Sequence, residues 1–312
     1  MIAIRPPPTT LQQYAPLDLL PAELLLEIIP YTYTPHALHC LCLTCTRLNI
    51  LVKEHEKSLV LSIKQCQDYT SILRLFPSLD TTTFSGLTVL HKRLSSLEDL
   101  HTQWLHITSH GPELHWLKGR WEGIHKAGLL LLHRLQDTGS YAYKVALING
   151  LPLTSLACLL FKLISSIKIL RIYGPDPING THAAGDILTR SDIELACEEM
   201  LLSHGPDFFT TLLRTGKSSP SSNPCWATTA LTTEIAGMIS RQLPSPSGLP
   251  KPPTLTSCLR RAFAARKGCH ISQNVNKMWE ILSSTAFDDM DEGKMVKVVH
   301  GEEVTGGMKR IF

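Results

Sequence analysis

Leu17-Asp18-Leu19-Leu20-Pro21-Ala22-Glu23-Leu24-Leu25-Leu26-Glu27-Ile28-Ile29-Pro30, continued after a short break by Thr34-Pro35-His36-Ala37-Leu38-His39-Cys40-Leu41-Cys42-Leu43-Thr44-Cys45-Thr46-Arg47-Leu48, is the stretch on which the fold turns. Pro21 suits a first helical position, where its missing N–H is not needed. Leu24, Ile28 and Ile29 then recur at helical spacing until Pro30 ends the run. Thr34 is placed to cap a second helix that begins at Pro35 and carries Leu38, Leu41 and Cys42 on one side. Thr44 opens a third helix with Leu48, Leu51 and Val52. Helices this short are marginal in isolation, so the three must share one core.

In this order, L-P-x-E-L, two leucine-rich turns and a T-C-x-R-L segment, residues 17–52 resemble the F-box of filamentous-fungal F-box proteins. The resemblance implies that residues 15–56 form an F-box-like domain that docks on a Skp-family linker protein and, through it, a cullin. The remainder would then recruit an unknown protein target for ubiquitination. It also implies which side chains face the linker: Leu20, Pro21, Leu24 and Ile28, with Leu38, Leu41, Leu43 and Cys45 to Leu48 split between partner and internal core. Tyr31-Thr32-Tyr33-Thr34-Pro35 departs from the family pattern, where a leucine-bearing turn is commoner. The competing reading keeps the F-box but makes the rest a helical scaffold or interaction protein acting outside a ubiquitin ligase.

Beyond this stretch the 312-residue chain is 43% hydrophobic and 18% charged, a globular balance. A formal net charge of +3 is too small to argue for nucleic acid or an anionic membrane. Residues 1–10 hold Arg5 and Pro6-Pro7-Pro8 rather than the apolar core of a signal peptide, which leads to an expected location in the cytoplasm or nucleus. The most apolar long run, Leu151–Leu170, is interrupted by Lys162 and Lys168 and reads as a buried helix, not a membrane span.

The whole is expected to be all-α. A helical body over residues 57–216 is built around an antiparallel hairpin. Its first arm carries Leu87, Leu90, Leu94, Leu97 and Leu100 or His101, and His110-Gly111-Pro112 forms the break. Leu114, Leu117, Trp121, Ile124, Gly128, Leu131 and Leu135 mark the second arm. Gly119, Gly123 and Gly128 weaken that arm by up to about 1 kcal/mol each, and close approach of a neighbouring backbone would explain them. Ser191-Asp192-Ile193-Glu194 reads as a capping box. Residues 217–255 are Ser/Pro-rich linkers flanking one helix, and residues 256–312 give short basic helices and an acidic tail.

No catalytic, cofactor or metal set stands out, and the chain is read as a non-enzyme. Cys40, Cys42 and Cys45 lie in a leucine-rich helical segment without the paired spacing that wraps zinc, so small buried cysteines are the better reading. Seven of the 14 histidines fall between His91 and His133, but their spacing scatters them over several faces, and they are expected on the surface. Asp288-Asp289-Met290-Asp291-Glu292-Gly293 has its glycine one place too early for a calcium loop and reads as solvated. The basic segment 251–277 has no recognition motif beside it, which disfavours nucleic acid. Trp104 and Trp116 are the expected target contacts because tryptophan is enriched in binding hot spots, whereas Trp121 lies on the apolar seam.

Overall fold

A computed structural model describes residues 20–179, 189–216, 225–242 and 252–304, and among these there is helix, turn and coil but no strand. The chain is all-α. Its first helices are α1 (Ala22–Thr32), α2 (Pro35–Thr44), α3 (Thr46–Glu54), α4 (Glu56–Cys66), the single turn α5 (Thr70–Leu73) and α6 (Phe84–His110). Then come α7 (Arg120–Asp137), α8 (Tyr141–Gly150), α9 (Leu153–Tyr173), α10 (Arg190–His204) and α11 (Pro206–Gly216). Last are α12 (Trp226–Gln242), α13 (Leu255–Lys267), α14 (Asn274–Leu282) and α15 (Glu292–His300). Two compact units divide the chain: the smaller holds residues up to Thr70 with Asp80–Arg93, and the larger holds Ser71–Leu79 and everything from Leu94 on. The smaller unit therefore runs past the 15–56 segment, because α4 packs on α1. The proposed linkers at 217–224 and 243–251 lie outside the described residues.

The larger unit is organised by α9, which is buried around nearly its whole circumference from Thr154 to Leu170. It is long and apolar enough to cross a membrane, but 83% of its most apolar window is covered by other helices of the protein. Helix α7 runs antiparallel along it. His125 of α7 meets Lys162 and Ser165, Gly128 faces Cys158 and Lys162, and at the far end Arg134 and Ser155 donate to Val299 and Val298 of α15. Gly128 permits the approach, since a Cβ there would sit 2.6 Å from the Cys158 carbonyl oxygen. Helices α13 and α14 cover other faces of α9, and α10 joins α7 to α12 and α13.

Several sequence-based expectations change here. The antiparallel pair at the centre is α7 with α9. Between α6 and α7 the contacts rise together, His101 on Glu122 and Trp104 on His125, which is not the mirrored order of an antiparallel hairpin. The expected second arm is also interrupted. Pro112–Leu117 forms a 3-10 turn, and Gly119 adopts φ +67° in open space before α7 begins at Arg120. A side chain at Gly119 would be strained by that backbone, not by a neighbour.

Asp288, Asp289, Asp291 and Glu292 are exposed as expected, but the segment they belong to is not a free tail. Met290, Val296, Val298 and Val299 are buried, and α15 packs on α7 and α9. The capping box is formed by Thr189 and Asp192, two residues earlier than read from Ser191, because Thr189 offers the cap first. Glu194 instead pairs with Arg171 and Arg190. Two of the clustered histidines, His125 and His133, are buried, because α7 is covered by helices on more than one side.

Candidate functional site

The four helices at the start of the smaller unit follow from local chemistry. Pro21 precedes α1 in extended conformation, and its carbonyl accepts the first helical bond from Leu25 at 3.2 Å. Pro30 does not end the helix as its type suggests; it sits in the last turn, and the helix continues to Thr32. Tyr33 is extended, and Thr34 then caps α2 by accepting from Ala37 N at 3.0 Å, with Pro35 in the first position. Thr44 closes α2 rather than opening α3, its hydroxyl donating to the Leu41 carbonyl at 2.7 Å, and extended Cys45 turns the chain into α3. The Arg47 guanidinium donates to the Leu20 carbonyl at 2.8 Å and ties α3 to the start of α1.

The segment has two small adjoining cores. Leu25, Leu48 and Leu51 form one, flanked by Leu20, Leu41 and Cys45; Ile29, Val52 and Leu59 form the other, flanked by Leu38, Leu41 and Phe84. The residues implied by the resemblance are thus divided. Leu48 is interior, while Leu20, Leu38, Leu41 and Cys45 are half-buried between core and surface. Pro21, Leu24, Ile28 and Leu43 face solvent, with exposures of 45% at Leu24, 43% at Ile28 and 71% at Leu43.

Leu24, Ile28 and Tyr31, the last 76% exposed, are spaced i, i+4, i+7 and form one apolar stripe along α1, on a face adjoining that of Leu25 and Ile29. Tyr31, together with Ile50 of α3 and Leu61 of α4, is an exposed large apolar residue that the sequence reading passed over. The helical spacing of Tyr31 from Leu24 was the available signal.

Chemistry is sparse in this segment. Cys40 lies 3.7 Å from His36 one turn away, and among the described residues no group of three or more His, Cys, Asp or Glu side chains is arranged to hold a metal. Burial pushes the Cys42 thiol up, which disfavours the thiolate a metal would need.

In the larger unit, Trp104 is buried at 4% exposure with its ring 3.7 Å from that of His125, which corrects its expected role as a surface anchor. Trp116 is half-buried in an aromatic cluster with Phe161 and Trp279, its ring under the Lys168 ammonium at 4.6 Å. Trp121 stacks on Phe161 at 5.4 Å.

One constellation escaped sequence reading because its members lie 40 residues apart. Lys162 Nζ is 3.0 Å from His125 Nε2, His125 Nδ1 is 3.2 Å from Ser165 Oγ, and Ser165 Oγ donates to the Lys162 carbonyl at 3.1 Å. Ser165 and His125 have the separation of a nucleophile and its base. Both are buried, beside a fully buried lysine.

Compared with protein-family models, with curated proteins and with solved structures, the chain matches none.

Proposed function

We propose that the chain is an F-box-type adaptor: the stripe Leu24, Ile28 and Tyr31 docks a Skp-family linker protein that brings a cullin, and the larger unit holds a protein target. The single observation carrying this reading is that a surface helix keeps its core partners Leu25 and Ile29 inside while leaving three large apolar side chains aligned in solvent. Contiguous exposed apolar surface marks protein-binding sites. Leu24 and Ile28 are about half buried already, so completing their burial adds roughly 1 kcal/mol each. Association costs about 4–15 kcal/mol, so Tyr31 and further surface from α2 and α3 must join the contact. In this reading the chain performs no chemistry and acts in the cytoplasm or nucleus by raising the effective concentration of a target beside a conjugating enzyme.

The test is capture of partners by the tagged full chain from a eukaryotic lysate, with Leu24→Asp/Ile28→Asp as the paired control. The expected result is a linker protein and a cullin with the wild type and neither with the double variant. Linker without cullin assigns the chain to a scaffold outside the ligase; no linker with a folded wild-type chain overturns the reading.

A further inference from the structure

We propose that the larger unit binds a lysine- and arginine-rich peptide segment in a groove formed by the second half of α6, the start of α7 and the start of α15. The groove has a volume of about 830 Å³, ample for several side chains of an extended peptide. Five carboxylates line it: Glu98, Glu122, Asp288, Asp289 and Glu292. Against them stand Arg120, which is committed to Asp288, and Lys126, while His101 lies 3.1 Å from Glu122. Glu98, Asp289 and Glu292 are exposed and have no ion-pair partner among the described residues. The local balance is strongly negative on a chain whose net charge is +3.

The carboxylates are spread along the walls. No three of them converge as a divalent cation requires. Between them lie Leu94, Leu97 and Met295, a surface on which the methylene stems of Lys and Arg rest while their charged heads reach the acids. A dispersed polycation fits this arrangement; a compact cation or an anionic polymer does not.

The inference does not depend on the linker-docking reading; where that reading holds, it names the target as a protein with a basic segment.

The experiment is fluorescence anisotropy with the purified full chain, without any linker protein, so its outcome is separate from that of the capture assay. The probes are a fluorescein-labelled twelve-residue peptide alternating Lys-Arg pairs with Leu and its counterpart carrying Glu at every basic position. The basic peptide is expected to saturate and to bind at least tenfold more tightly than the acidic one, weakening severalfold as salt rises from 50 to 300 mM. Glu98→Lys/Asp289→Lys/Glu292→Lys should weaken it at least tenfold. Should the triple variant lose its fold, carbodiimide cross-linking of the wild type places the peptide directly, with Glu98, Asp289 and Glu292 as expected sites. Equal affinity for both peptides, an unchanged affinity in the folded triple variant, or cross-links confined to other surfaces overturns the proposal.

Discussion

Lys162 of α9 reaches His125 of α7 with its Nζ 3.0 Å from Nε2, and both side chains are buried among helices. A neutral imidazole protonated on Nδ1 satisfies the whole circuit. Lys162 donates to Nε2, Nδ1–H donates to Ser165 Oγ, and the Ser165 hydroxyl donates to the Lys162 carbonyl. Burial holds Lys162 well below the usual lysine range; burial, and then the neighbouring lysine, hold His125 well below the usual histidine range. The Lys162 amine also lies 4.1 Å from the centre of the Phe209 ring.

Stability should therefore depend on pH through this pair. Each group binds its proton less readily folded than unfolded, so its contribution is fully present above the unfolded pKa. That contribution is lost as pH falls, from about 10.4 downward for Lys162 and from about 6.5 downward for His125. One proton gives a slope of at most about 1.4 kcal/mol per pH unit. Urea unfolding of wild type and Lys162→Met at pH 7, 8.5 and 10 tests this: the stability of the variant relative to wild type should decline as pH rises. A constant difference would show that Lys162 is charged in the folded chain.

Gly128→Ala separates local propensity from packing. Propensity in a helix favours Ala over Gly by about 1 kcal/mol. A methyl group at this position meets the Cys158 carbonyl oxygen and Lys162 Cβ at 2.6 and 2.5 Å, and the two helices must part. Overpacking of this kind costs about 1–3 kcal/mol, which cancels or outweighs the propensity gain, so a net loss of up to about 2 kcal/mol is expected by thermal or urea denaturation. A stabilised variant would refute the close approach of α7 and α9.

The smaller unit should respond oppositely on the two sides of α1. Leu25→Ala empties an interior position and should cost about 2–5 kcal/mol. Leu24→Asp and Ile28→Asp alter exposed positions and should each change stability by about 0.5 kcal/mol or less. Circular dichroism melts check both, and a large loss in either exposed variant would place that side chain in the core.

Glu199 of α10 holds the start of α13 by accepting from Leu255 N at 2.9 Å and from Thr256 N at 3.0 Å. The carboxylate satisfies N–H groups that a helix start leaves free and faces its positive end. Glu199→Ala should cost about 2–4 kcal/mol, with Glu199→Gln intermediate, as measured by urea unfolding. Equal stability of all three chains would remove this carboxylate as the anchor.

Much of the helical framework was legible before any coordinates. Thr34-Pro35 marked the start of α2, and the apolar run after Pro152 marked α9, because caps, prolines and periodicity act through neighbours in the chain. The apolar surface of α1 was legible in part, since Leu24 and Ile28 stood out while Tyr31 was passed over. Where several local signals competed, the sequence misled. Thr189 took the cap expected at Ser191, Thr44 ended a helix instead of beginning one, and Gly119 split the expected second arm.

What the amino-acid order determined by itself is the set of helices, their caps and breaks, and the amphipathic character of α1, all of which depend on residues within a few positions of one another. Only the tertiary structure decided that His125 and Lys162 share a buried site, that α15 belongs to the core, and that Glu98, Asp289 and Glu292 line one groove. Those facts depend on which faces of distant helices meet. That choice follows from the packing of side chains far apart in sequence, which no local pattern encodes.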